Sequence, residues 1–189
     1  RYGFLNQPAQ AVAEFDQKLL GAFQVAASDV KVQVEWNADR VKVFRQVGYL
    51  RHQLKKEDFR NNKIDAAEIS AAESGNALYV VQVNPDGEGP LGVVRVRYKV
   101  AFTSEYTEME WSLAYESAVA QLKDASPAMK LGSVAATFAE WLAQNPYAQG
   151  VQLGELQVLI SDIPSIYGTD SRPTQLEWMI SKALSIAGN

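Results

Sequence analysis

The chain has 189 residues, 47% hydrophobic and 21% charged, with a formal net charge of −4; at this length folding removes about 70% of the unfolded surface from water, enough for a core without staples. It has no cysteine and one histidine, His52, which excludes a disulfide framework, a thiol nucleophile and any multi-histidine metal site. No apolar run reaches the roughly 20 residues that span a bilayer, no signal peptide is visible, and a first residue other than Met makes the chain read as a piece of something longer.

Residues 1–5 read as the end of a strand. Asn6 can cap a helix and Pro8 suits its first turn. Val12, Phe15, Leu19 and Phe23 then recur at three- and four-residue spacing, one apolar stripe on a helix over 8–25. Alternation follows. Val30, Val32, Val34 and Trp36 point one way and Lys31, Gln33 and Glu35 the other, the pattern of a half-buried strand whose valine side faces the core. Asn37-Ala38-Asp39 reads as a turn, and Val41, Val43, Arg45 and Val47 carry the alternation to Gly48. Residues 51–65 are polar and aperiodic, a long loop. Ala77 to Val83 is a strand closed by Asn84-Pro85-Asp86-Gly87. Two more alternating runs, Val94 to Phe102 and Met109 to Tyr115, complete a set of antiparallel strands.

The period then becomes helical. Ser126-Pro127 is a cap with a first-turn proline, and Leu131, Val134, Phe138, Trp141 and Leu142 make an apolar stripe that Asn145-Pro146 ends. A shorter helix is expected near 153–161. The last opens at Ser171 or Arg172-Pro173, buries Leu176, Met179, Ile180, Ala183 and Leu184, and stops at Gly188. This order predicts an α+β chain: an antiparallel β-sandwich of five to eight strands, then a small C-terminal helical bundle, with one N-terminal helix. The boundaries fall at 1–27, 28–115 and 116–189.

Charge is uneven. Residues 1–100 carry 14 Lys/Arg against 12 Asp/Glu, residues 101–189 carry 4 against 10. Arg40, Lys42, Arg45, Arg51, Lys55, Lys56, Arg60 and Lys63 gather in one stretch, but a pI of about 5.1 is far below that of a nucleic-acid binder. They read as a solvated face and loop, with no nucleic-acid partner.

Catalytic constellations are missing. A Ser-His or Cys-His site needs a histidine base, and His52 sits in the polar loop. There is no Gly-x-x-x-x-Gly-Lys and no G-x-G-x-x-G. Asp58, Asn61, Asn62 and Asp65 offer oxygen ligands, yet the calcium-loop order fails: Arg60, Lys63 and Ile69 stand where a ligand, a glycine and a glutamate are required. No metal and no cofactor are therefore expected. Glu108 and Glu110 would share one strand face, and a glycosidase pair would require carboxylates 105–116 to oppose each other across a cleft. The tryptophans Trp36, Trp111, Trp141 and Trp178 lie on apolar stripes and are expected in the core. Tryptophans exposed in a row would instead suit sugar stacking.

Residues Ala27 to Asn37 resemble the segment that follows the metal-binding domain in bacterial von Willebrand factor type A proteins of the YfbK-like group. The likeness continues through Val47-Gly48-Tyr49, Glu57-Asp58-Phe59, Asp65 to Ile69, Ala77-Leu78-Tyr79 and Val96-Arg97-Tyr98, and more loosely through Phe138 to Tyr147. Leu50-Arg51-His52 and Ser70 to Glu73 depart from it. The resemblance implies a C-terminal domain of unknown function, with Tyr2 to Leu5 and helix 8–25 as the last strand and helix of the preceding domain. It supplies no catalytic residue. Two functions follow as expectations. One is a non-catalytic protein-interaction module beside a metal-dependent von Willebrand factor A domain, in the cell envelope or periplasm, as monomer or dimer, with an unidentified protein partner. Its contact residues would be Phe15, Leu19, Arg51, His52, Asp58, Asn62 and Asp65. The other is a carbohydrate-binding β-sandwich.

Overall fold

The computed structural model describes residues 25–48, 54–64, 66–70, 74–118 and 121–188. The expected helix over 8–25 lies outside them except for Val25, which is already in a strand. The chain is mixed α/β, with two antiparallel sheets and a set of helices. It divides into two units. The first contains the described residues up to Val43, those between 54 and 76, and Val81–Tyr115. The second contains 44–48, Ala77–Val80 and the described residues from Glu116 onward.

Six strands occur among the described residues: β1 Val25–Trp36, β2 Val41–Val47, β3 Ala67–Ser70, β4 Leu78–Val83, β5 Gly92–Val100 and β6 Tyr106–Leu113. They form a four-stranded sheet in the order β3-β1-β5-β6 and a two-stranded ribbon of β2 and β4. Of the antiparallel β-sandwich of five to eight strands expected over 28–115, the described residues give six strands in two antiparallel sheets, divided four and two. The ribbon is antiparallel. At one end Asn84 donates its N–H to Arg40 O (2.7 Å), and at the other Tyr79 Oη lies 3.5 Å from Gln46 Oε1.

The turn joining β1 to β2 shows why those residues stand there. Asn37 Oδ1 accepts from Asp39 N–H, and Asn37 Nδ2 donates to Glu88 O and Pro90 O at 2.7 and 2.9 Å. Gly87 lies so close that a Cβ there would meet Asp39 O at 2.1 Å. Only glycine tolerates that approach. Arg40, expected in solvent, donates to Gly89 O, Asn84 O and Pro85 O and stacks on the Tyr115 ring at 3.9 Å.

Strand β1 starts five residues earlier than its valine run. Val25 and Ala27 alternate in one phase and Val30, Val32 and Val34 in the other. A β-bulge reconciles the two: the pairing with β5 slips between Ser28 and Lys31, and Asp29 takes φ 49°. Phe102, expected on an inward strand position, instead sits in the β5–β6 turn at φ 60°, fully exposed. The loop over 51–65 is also more ordered than its composition suggests, because Lys56–Arg60 forms a 3₁₀ turn that buries Phe59.

The second unit holds a closed apolar core. Its helices are α1 Pro127–Leu142, α2 Leu153–Ile160, the short α3 Ile163–Tyr167 and α4 Ser171–Ala187. Ser126 caps α1 by accepting from Met129 N–H, and Asp170 caps α4 by accepting from Arg172 N–H. Gly188 ends α4 in the left-handed conformation, φ 71°. Val134, Phe138, Leu153, Leu156, Ile160, Ile163 and Ile180 pack together, fully buried. Trp141 stacks on Phe138. Trp178 does not join the core: it is 60% exposed, with Lys182 over its ring. Met179 is likewise exposed at 42%, because Ile180 takes the inward position. Arg45 of β2 donates both guanidinium nitrogens to Glu140 of α1 and stacks on Tyr147, fixing the ribbon's far end to the helices.

Candidate functional site

The four-stranded sheet carries its chemistry on one face and its apolar side chains on the other. Directly opposed residues share a face. Lys31 opposes Arg97, Gln33 opposes Arg95, and these oppose Glu108 and Glu110 in turn. Val32 opposes Val96, Val34 opposes Val94, and these oppose Met109 and Trp111. The burial is the reverse of the expected one. Lys31 is 1% exposed, while Val32 is 57%, Met109 45% and Trp111 46% exposed.

The reversal has a local cause. The segment 56–64 lies over the polar face, and the bulge at Asp29 turns a carboxylate toward it. Lys31 Nζ donates to Asn61 O at 2.7 Å and to Asp29 Oδ2 at 3.3 Å. Asp29 Oδ1 is 3.2 Å from the same ammonium without hydrogen-bond geometry. Tyr106 donates its hydroxyl to Asp29 Oδ2 at 2.8 Å, and that bond raises the Tyr106 pKa. Arg97 lies flat on the Tyr106 ring at 3.8 Å, its buried Nη1 without a hydrogen bond. A buried ammonium is tolerated only with such partners. Beside this cluster is an open polar cavity of about 280 Å³, reached by Asp29, Asn62, Lys63, Lys99 and Tyr106.

Farther along the same face, ion pairs close a second cleft. Arg95 bridges Glu35 (2.5 Å) and Glu110 (2.7 Å), Lys56 bonds Glu35, and Arg60 grips Glu108 with two nitrogens. The Lys56 bond, seconded by Arg95, holds the Glu35 carboxyl below the ordinary range; the Arg60 bond does the same for Glu108. These carboxylates are held ionised. A general acid needs the opposite shift.

Of the residues singled out from sequence, two fall among the described ones. Asp58 is half-buried and faces Asn61 Nδ2 at 3.4 Å; Asn62 is exposed and lines the polar cavity. Phe15, Leu19, Arg51, His52 and Asp65 lie outside the described residues. Asn61 is occupied by its own loop, its Oδ1 accepting from Lys63 N–H. Among the described residues no three acidic or histidine side chains could hold a metal ion together. The sequence reading missed Asp29, Lys31, Arg97 and Tyr106. The phase break between Ala27 and Val30 was the signal that a bulge would aim a side chain there. It also placed Trp36 and Trp111 in the core. Trp36 is half-buried and Trp111 46% exposed.

A family model described as "Uncharacterized protein YfbK, C-terminal" matches residues 21–170. The "Uncharacterized protein YfbK" of Escherichia coli (strain K12) is 27% identical over 114 residues, 58% of this chain and 19% of that protein. The match thus spans about a fifth of the curated relative's length. No solved structure matches.

Proposed function

The chain belongs to the family of the YfbK C-terminal region, and from that premise we propose that it is a non-catalytic module that works by binding protein, placed after a metal-dependent von Willebrand factor A domain in a bacterial envelope protein. One observation carries the reading: the apolar side of the four-stranded sheet, where Val32 of β1 and Met109 and Trp111 of β6 stand about half exposed on either side of Val94 and Val96 of β5. Scattered apolar side chains on a surface are ordinary; a contiguous patch on a sheet marks a site that something covers. The charged groups of the opposite face are consumed by one another and support no acid–base pair. No helix among the described residues is long and apolar enough to cross a membrane.

A carbohydrate-binding reading keeps one observation in its favour, the exposed Trp111 on the same face as Trp36. Around it stand Val94, Val96 and Met109, which offer no hydrogen bonds to sugar hydroxyls. A protein segment suits that lining better.

The test is thiol footprinting of the full-length parent. Met109→Cys on the sheet face and Val158→Cys on the exposed side of α2 (74% exposed) are labelled in separate variants. If the face is covered, Met109→Cys reacts at least about tenfold more slowly than Val158→Cys. Equal rates would remove the protein-binding reading.

A further inference from the structure

The two edges of the four-stranded sheet are built differently. At one edge, β3 is four residues long and slips twice in its register with β1. Shortness and irregular pairing are ordinary ways of keeping a sheet edge from recruiting another strand. At the other edge, β6 has neither. It runs for eight residues, pairs with β5 without a slip, and contains no proline, glycine or lysine. Among the described residues no strand pairs with its outer side, and Glu108 to Ser112 are exposed without interruption.

The register fixes which backbone groups lie open there. Val100 donates its N–H to Glu105 O, and Leu91 donates to Leu113 O. With no slip between these ends, Thr107, Met109 and Trp111 also turn their N–H and C=O toward β5. Alternation then turns those of Tyr106, Glu108, Glu110 and Ser112 outward. A row of such groups about 7 Å apart matches an extended backbone, whereas a helix keeps its own backbone groups occupied.

The flanks select the side chains that backbone carries. In an antiparallel partner, the residues bonded to this row stand on the polar face beside Glu108 and Glu110. The residues between them stand beside Met109 and Trp111, 45% and 46% exposed. Glu110 meets Arg95 through Oε2, and its side chain stays 57% exposed. The same glutamates reject a second copy. Any antiparallel register that pairs most of β6 with its copy sets Glu108 or Glu110 against Glu108 or Glu110 of that copy, and opposed like charges destabilise a strand pair.

We infer that β6 is a docking edge: an extended segment of a partner protein, apolar at alternate residues and bearing lysine or arginine between them, adds to the sheet as a strand beside β6. The inference rests on the protein-binding reading above and names how the partner is held.

Three octapeptides of alternating lysine and valine are the probes for the 189-residue chain. The first is N-methylated on its valines, whose N–H groups point away from β6 when the lysines face the glutamates; the methyl groups also stop the peptide from pairing with itself. The second is N-methylated on its lysines. The third is the first with glutamate in place of lysine. Amide hydrogen exchange is followed by NMR. In the chain alone, the amides of Tyr106, Glu108, Glu110 and Ser112 should exchange at least about tenfold faster than those of Thr107, Met109 and Trp111. Saturation with the first peptide should slow these outward amides at least about tenfold. The second and third peptides should bind at least about tenfold more weakly, through lost ladder hydrogen bonds and opposed like charges respectively. Outward amides already protected in the chain alone mean that the edge is filled without a partner, and overturn the inference. Outward amides unchanged by the first peptide, or equal binding by all three, overturn it too. If the peptides fail while Met109→Cys stays protected in the full-length parent, the sheet is covered in another way and the wider reading stands. If both fail, both fall.

Discussion

The helical unit and the sheet unit solve the problem of burial in opposite ways. The first closes seven apolar side chains into a core, with Val134, Ile160, Ile163 and Ile180 wholly out of contact with water. The second buries a lysine more deeply than any valine of its long strand and leaves the apolar side of its sheet open. A helix set can surround its own stripe, whereas a single sheet has two faces and needs a separate layer for each. Here the segment 56–64 supplies a layer for the polar face. The apolar face is left half exposed, and that contrast is the basis of the proposed binding role.

The largest expected effects test whether the two units draw on different forces. Phe138→Ala should cost the helical unit about 3–5 kcal/mol, the range for a large aromatic removed from a core, as read by denaturant unfolding followed through Trp141. A loss under about 1 kcal/mol would mean the core is looser than its burial implies. In the sheet unit the counterpart is polar. Lys31→Ala leaves Asp29 with the Tyr106 hydroxyl but no counter-charge and takes the ammonium from Asn61 O; it should cost about 3 kcal/mol, as for one partner removed from a buried pair. Hydrogen exchange of the β1 and β5 amides reports it locally. A neutral outcome would show that the ammonium is a passenger and that the contrast with the helices is one of degree.

The next effects sharpen the comparison. Arg45→Ala removes a two-pronged bond to Glu140 and the stack on Tyr147, with a loss of about 1–2 kcal/mol expected for a charge-assisted, half-buried pair. Exchange at 44–47 should rise while the core amides of α2 keep their protection. Asp170 is smaller still. Its side chain caps α4, and the hydrogen bond from Arg172 draws its pKa from 3.8 to about 2. A depressed carboxylate stabilises the folded chain above its unfolded pKa and loses that contribution as pH falls through the folded value. The cap's contribution is therefore complete above about pH 5 and fades from about pH 4 toward 2. Asp170→Asn keeps a capping oxygen without the titration and should flatten that part of the helicity profile. An unchanged profile would place the acid sensitivity elsewhere.

How far the sequence could be read follows from the same contrast. The helices were legible because their signals are local: Ser126-Pro127 opens α1, Ser171 follows its cap, and Gly188 closes α4. The strand at 41–47 was legible from alternation, and the one at 78–83 from a run closed by Asn84-Pro85-Asp86-Gly87. The polar segment 54–70 was not, because its 3₁₀ turn and β3 are held by Lys31 and β1, partners 30 residues or more away. Period-two alternation also says that two faces differ without saying which is covered. That is why Lys31 was read as outward and Trp111 as core. Of the site, Asn62 was visible in advance, but the cluster around Asp29 depended on a bulge whose only mark is a one-residue slip in the valine pattern.

The claim at the centre, that the apolar sheet face is covered when the protein works, is tested most directly by placing a charge on it. Met109 is 45% exposed, and a solvated position of that kind changes stability by no more than about 0.5 kcal/mol on substitution. A covered face predicts that Met109→Lys in the full-length parent costs about 2 kcal/mol in the protection of the β5 and β6 amides, since the ammonium is then pressed against an apolar partner. Val158→Lys on α2 should leave its own unit unchanged. If the two substitutions are equally silent, nothing sits on the sheet and the account is wrong.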